Sequence, residues 1–209
     1  MKRKSAPPEP GIVLIIVLFV VEMVGLYSGL SLWAISMIPV YFLLNAAVLL
    51  LYEKYIFSSL WIYLTVTVIF IFIIEALNAN IKFPFGSFQF GDTLGPRLFD
   101  VPLILPVFWM TLIYSCIHFL KTIRFGNEMR SLLGATFLTL TDFFLEMVAV
   151  KFNFWKWDAN IVSWGNYISW FIVSYLFIYL FFRFRFRTYN PLGVIVFIVL
   201  LVFILANAF

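Results

Sequence analysis

Residues 11–33 read GIVLIIVLFVVEMVGLYSGLSLW, an unbroken apolar run with one charge, Glu22. About 20 such residues carry a helix across a bilayer. In lipid, a helix is the local structure that satisfies its own backbone hydrogen bonds. The preceding MKRKSAPPEP is basic at its start, as a secretory leader is, but the run behind it is too long for a leader's apolar core. It reads as a retained spanning helix.

Working outward, the same reading recurs along the chain. Seven spans are expected, at about 11–31, 33–52, 57–77, 101–121, 131–150, 166–183 and 190–208. The first two are joined by a very short loop near Ser31 and form a tight hairpin. Composition agrees: of 209 residues, 64% are hydrophobic and 11% charged. A soluble domain carries roughly a quarter charged residues, so this chain cannot cover a water-facing surface. The expected fold class is all-α, a polytopic transmembrane helical bundle. A disordered cytoplasmic tail, 1–10, precedes one integral membrane domain, 11–209. The single cysteine, Cys116, excludes an intrachain disulfide, and the single histidine, His118, excludes a His-rich metal site. The net charge of +4 comes from short basic clusters between apolar runs, which is a topology signal and not a nucleic-acid signal.

With the N-terminus inside, Lys2, Arg3, Lys4, Lys54, Lys121, Arg124, Arg130, Arg183, Arg185 and Arg187 fall on the cytoplasmic side. Lys82, Arg97, Lys151 and Lys156 fall outside. That imbalance predicts N-inside and C-outside.

Four acids fall within the spans: Glu22, Glu75, Asp142 and Glu146. Charged groups at membrane depth are costly and usually functional. No lysine or arginine lies deep in a span to pair with them. In ATFLTLTDFFLEMVAV, Asp142 and Glu146 stand at i and i+4 on one helix face, joined by Thr139 at i−3. The orientation puts this pair in the outer half of its helix and Glu75 at the outer end of the third span. Two polar loops, 78–100 and 151–165, lie over the same end. The competing structural reading puts Glu75 at the headgroups or in a loop cap, leaves Glu22 without a same-face partner, and makes His118 an interfacial residue.

A neutral carboxylic acid at membrane depth can donate a proton, and a second acid beside it can accept one. Such a pair suits acid–base work on a substrate that lives in lipid. Protonation of a terminal isoprenoid double bond gives a tertiary cation, which aromatic faces stabilise and water can capture. Proton-coupled transport would use similar residues.

The segment 73–103, IIEALNANIKFPFGSFQFGDTLGPRLFDVPL, carries Glu75, Pro84-Phe85-Gly86, Phe88, Phe90, Leu94-Gly95-Pro96 and Val101-Pro102-Leu103. The segment 141–170 carries Asp142, Glu146, Phe154-Trp155-Lys156-Trp157, Asn166-Tyr167 and Trp170. Over about residues 70 to 180 the chain resembles the membrane carotenoid biosynthesis family that includes carotenoid 1,2-hydratases and bisanhydrobacterioruberin hydratase. It departs from the family pattern at NANIKFPFG, where Thr-Gly often precedes Pro-Phe-Gly, and at Glu146-Met147, where Asp-Pro is usual.

The resemblance implies a cofactor-independent, metal-free hydratase, a hydro-lyase adding water to the terminal C1–C2 double bond of an acyclic carotenoid. The expected catalytic residues are Glu75, Asp142 and Glu146: Asp142 or Glu146 donates the proton, because both are deep and share a face, and Glu75 and the remaining acid position water or take its proton. Asn78, Asn80, Asp92 and Asn166 are the candidate water-holders, and Phe85, Trp155, Trp157 and Tyr167 the candidate lining of the end-group pocket. The implied partners are the carotenoid, membrane lipid and other carotenoid enzymes, with no nucleic acid, in a bacterial or archaeal cell membrane. A carotenoid cyclase or isomerase shares the protonation step and is the nearest rival. A transporter would need a polar path across the whole membrane, whereas these acids cluster in the outer half. A retinal protein would need a lysine in the last span, PLGVIVFIVLLVFILANAF, which has none. Prenyl transfer would need Asp-rich magnesium motifs, also missing. An assembly factor for pigment enzymes is the non-enzymatic alternative.

Overall fold

A computed structural model describes residues 9–55 and 58–209. Seven helices run α1 (Glu9–Leu26), α2 (Ser31–Leu51), α3 (Ser58–Ile81), α4 (Ile104–Leu120), α5 (Asn127–Lys151), α6 (Trp164–Phe184) and α7 (Gly193–Ala208). Five of them are long and apolar enough to cross a membrane, and α4 and α7 are shorter apolar helices of 17 and 16 residues. The chain is an integral membrane protein.

The expected tail falls largely outside the described residues, but its last two positions, Glu9 and Pro10, already belong to α1. Proline is tolerated in a first helical turn, where its missing N–H has no partner to lose. The seventh helix starts at Gly193 and not at 190, and the residues before it form a turn in which Asn190 Oδ1 accepts from Leu192 N at 3.0 Å. The fourth starts at Ile104, because Val101–Pro102 forms a strand.

Helix α4 is the hub. It is apolar on every side, the pattern of a buried helix, and fifteen of its seventeen residues are buried. It contacts α2, α3, α5, α6 and α7. Helices α1 and α2 form the expected hairpin, as do α5 and α6. Outward faces such as Val13, Val17, Val20 and Val24 on α1 remain exposed, as lipid contact requires.

At one end of the bundle Glu53 ties three segments together. Its Oε1 accepts from the backbone N–H groups of Tyr55 and Tyr189 at 3.0 and 2.8 Å. Its Oε2 accepts from the hydroxyls of Tyr114 and Thr188, both at 2.6 Å, and lies 4.0 Å from His118 Nε2. Burial pushes this carboxyl up, but the bonds from Thr188, Tyr114, Tyr189 and Tyr55 outweigh that and hold it below its ordinary value.

The all-α expectation holds for the bundle, and the opposite end carries the long loops, where two short strand ribbons are added. Strand β1 (Phe88–Phe90) pairs antiparallel with β4 (Trp155–Trp157), in the register Phe88↔Trp157, Gln89↔Lys156, Phe90↔Trp155. A second small ribbon joins β2 (Arg97–Leu98) to β3 (Val101–Pro102). FQF and WKW alternate aromatic and polar, as a half-buried strand does. Three residues are too short a run for that period to stand out in a sequence.

Candidate active site

The β1/β4 ribbon lies over a small cavity within the bundle, with room for about one water molecule. Alternation sends Phe88, Phe90, Trp155 and Trp157 to the cavity side, while Gln89 and Lys156 stay exposed. Below the ribbon, α3 contributes Glu75, α4 Leu105 and Trp109, α5 Asp142 and Glu146, and α6 Asn166 and Trp170. At 1.5 Å per residue, Glu146, Glu75 and Asp142 stand about 8, 9 and 14 Å in from the loop ends of their helices.

The three carboxyls differ in how they are held. Glu146 Oε2 accepts from the indole N–H groups of Trp157 and Trp155 at 2.7 and 2.8 Å, and Oε1 accepts from Asn166 Nδ2 at 3.0 Å. Every such partner of Glu146 is a donor, which matches an ionised carboxylate. Asp142 Oδ2 accepts from the same Asn166 amide at 2.7 Å, so Asn166 bridges the two acids. Glu75 Oε2 is buried and has no hydrogen-bond partner. Arg97 pairs with Asp92 at the surface, away from these acids. No group of three or more His, Cys, Asp and Glu suited to a metal ion occurs among the described residues.

The aromatic wall is stacked. Trp109 lies on Trp170 with centroids 3.7 Å apart and planes at 17°, and Phe85 covers the other face of Trp170 at 5.1 Å and 21°. Phe85 thus stands behind the cavity wall and does not line it.

Of the expected site residues, the structure brings Glu75, Asp142, Glu146, Trp155, Trp157 and Asn166 to one cavity. It places the others elsewhere. Asn78 braces the Pro84–Gly86 turn, accepting from the N–H groups of Phe85 and Gly86 and donating to Gly86 O. Its Oδ1 and one Nδ2 hydrogen are thus engaged by that backbone. Asn80 is exposed and bonds to Ala76 O in its own helix. Asp92 is fully solvated and paired with Arg97 at 2.7 Å. Tyr167, half-buried, packs against Phe143 and Trp164. Conversely, Phe88, Phe90 and Trp170 were visible only as motif positions, and Leu105 and Trp109 not at all. The alternation in FQF was the available signal for the first two. Trp109 sits in an apolar run with nothing to mark it. Glu22 is buried in α1 away from this cavity, one oxygen unpartnered. A larger groove of about 650 Å³ between α5 and α7 is lined by Phe137, Phe144, Leu201 and other apolar groups and holds no acid.

Apolar helices long enough to span a membrane, around an aromatic-walled cavity that gathers three acids, define the class as an integral membrane protein. The sequence profile of the family described as carotenoid biosynthesis protein matches residues 37–208, and the chain belongs to that family. It is also 33% identical over 106 residues to the bisanhydrobacterioruberin hydratase of Haloarcula japonica. That alignment covers 46% of this chain and 36% of the relative, so the chain matches about a third of the relative's length. No solved structure matches the chain.

Proposed function

We propose that this protein is a carotenoid hydratase that adds water to the terminal C1–C2 double bond of an acyclic carotenoid without a cofactor. The observation that carries the reading is the gathering of Glu75, Asp142 and Glu146 in one aromatic-walled cavity at membrane depth. The named hydratase among its relatives supports the same chemistry.

In this mechanism Asp142, the deepest acid and the one holding a single amide bond, gives a proton to C2. The tertiary cation at C1 is stabilised by the aromatic rings that line the cavity. Glu75, with an oxygen unengaged, orients a water molecule. That water adds to C1, and Glu146, already arranged as a carboxylate, takes the proton released from oxygen. The proton returns to Asp142 through the carboxyl cluster, and no other reagent is consumed. With the N-terminus inside, the cavity end faces the outer side of a bacterial or archaeal cell membrane. Lipid and other carotenoid enzymes are its expected neighbours.

The test is pigment analysis. The chain is expressed in a host that accumulates an acyclic carotenoid, and the extract is resolved by liquid chromatography and mass spectrometry. A product heavier by one water, with an unchanged visible spectrum, is expected, because hydration leaves the conjugated chain intact. A product of unchanged mass would refute hydration in favour of cyclisation or isomerisation.

A further inference from the structure

Two cavities meet at the same pair of rings. On one side Phe88 and Phe90 line the acid cavity. On the other they line an open polar vestibule of about 620 Å³, whose walls include Lys82, Gln89, Arg97 and Asp100. The two rings pack edge to face, with centroids 5.1 Å apart and planes at 89°. Phe88 is buried and Phe90 half-buried. A further small space shares Leu105 and Trp155 with the acid cavity, and its remaining walls, among them Phe42, Phe108, Leu145 and Phe154, are apolar. The acid cavity therefore adjoins a wet compartment through two phenyl rings and a dry compartment through a leucine and an indole.

From this arrangement we infer that Phe88 and Phe90 meter water into the acid cavity and so decide the fate of the cation formed there. The inference rests on the hydratase reading. Once C2 has been protonated, the cation at C1 has two outcomes. In one, water adds, a C1–O bond forms, and Glu146 receives the proton leaving oxygen. In the other, a neighbouring carbon returns a proton to a carboxylate, its C–H electrons form a new double bond to C1, and an isomer of unchanged mass results. The choice depends on whether water reaches C1 before a proton leaves. The apolar compartment has no polar wall from which to supply it. Water comes from the vestibule, past the two rings.

The same ribbon holds both the rings and the base. Phe88 is the cross-strand partner of Trp157, and Phe90 of Trp155. Both indoles donate to Glu146 Oε2. A displacement of β1 that parts the rings pulls on the strand whose N–H groups clasp Glu146, so water admission and the orientation of the base are coupled. Phe88 and Phe90 are positioning residues, acting through water.

Cys116 is the sole cysteine, so a Cys116→Ser, Leu105→Cys protein carries one thiol on the wall between the acid and apolar compartments. The full chain in lipid vesicles is treated on the vestibule side with the water-soluble reagent methanethiosulfonate ethylammonium. Total thiol is measured after denaturation. Phe90→Ala is expected to speed labelling by about tenfold or more. Phe90→Leu, which keeps most of the bulk, should restore a near-native rate, and Phe90→Trp should slow it. Equal rates across the three variants overturn the gate, whatever the pigments show. In the pigment-producing host, Phe90→Trp should shift the products from hydrated carotenoid toward isomers of unchanged mass, and an unchanged ratio overturns the metering role. If the parent chain makes no hydrated pigment while labelling responds as expected, the gate is supported and the hydratase reading is what fails.

Discussion

Asn166 donates to both Asp142 and Glu146, through a single amide nitrogen at 2.7 and 3.0 Å. Replacing it by leucine keeps the volume and removes both donors. Hydrogen bonds to charged groups contribute about 1.5–3 kcal/mol each in soluble proteins. Between membrane helices the average is about 0.6 and the maximum about 1.7, because the unfolded chain in lipid finds other partners. The Asn166 bonds are short and wholly buried, so they belong at the upper end of the membrane range. Two of them give about 3 kcal/mol. That is roughly a hundredfold shift in the folded-to-unfolded ratio, at a factor of ten per 1.4 kcal/mol. The assay is reversible unfolding in mixed micelles, followed by tryptophan fluorescence. The double variant Asn166→Leu, Asp142→Leu should cost less than the sum of the two singles by at least about 0.5 kcal/mol, since residues in contact are not additive. Strict additivity, or a single-variant cost below about 0.5 kcal/mol, would refute the claim that Asn166 bridges the acids.

Asp142→Asn and Glu146→Gln should each abolish hydrated pigment while the protein still accumulates in the membrane. Full turnover by both variants would exclude the acid–base scheme. Glu53 gives a pH prediction at the other end of the bundle. Its carboxyl is held below the ordinary 4.5, so its contribution to stability is complete above pH 4.5 and is lost as pH falls through its lower folded value. Unfolding measured between pH 7 and pH 3 should show Glu53→Gln less stable at neutral pH and less sensitive to acid. A methyl group at Gly193 would meet His118 Cγ at 2.4 Å and Cβ at 2.6 Å, close to the α4 backbone. Gly193→Ala should therefore cost about 1–3 kcal/mol by overpacking. Gly134→Ala meets only the far ends of Ile178 and Leu120, at 2.6 Å, and should cost less in the same micelle unfolding assay.

How much of this was legible beforehand varies by residue. Asp142 and Glu146 could be paired from spacing alone, because i and i+4 share a face wherever the helix ends up. Glu75 could be placed at the correct end of the bundle but not in the cavity, since that depends on how α3 is rotated against α4. Asn78 lies three residues beyond Glu75 and has the right chemistry for holding water, yet its Oδ1 is taken by the turn it caps. Glu53 looked like an acid beyond a helix end. Its four donors arrive from Tyr55, Tyr114, Thr188 and Tyr189, three of them more than sixty residues away.

By itself, then, the sequence determined the class of molecule. Backbone groups in lipid must be satisfied within the segment, so a run of about 20 apolar residues leaves few alternatives to a spanning helix. Intrahelical spacing and the depth of each acid follow from the same local geometry. The site required the tertiary structure. The pairing of Phe88–Phe90 with Trp155–Trp157, the convergence of acids from α3 and α5, and the bridge from α6 join segments far apart along the chain. Such contacts are set by helix rotation and close fit between side chains. Those depend on the shapes of all neighbours at once, and no local pattern of residues carries that information.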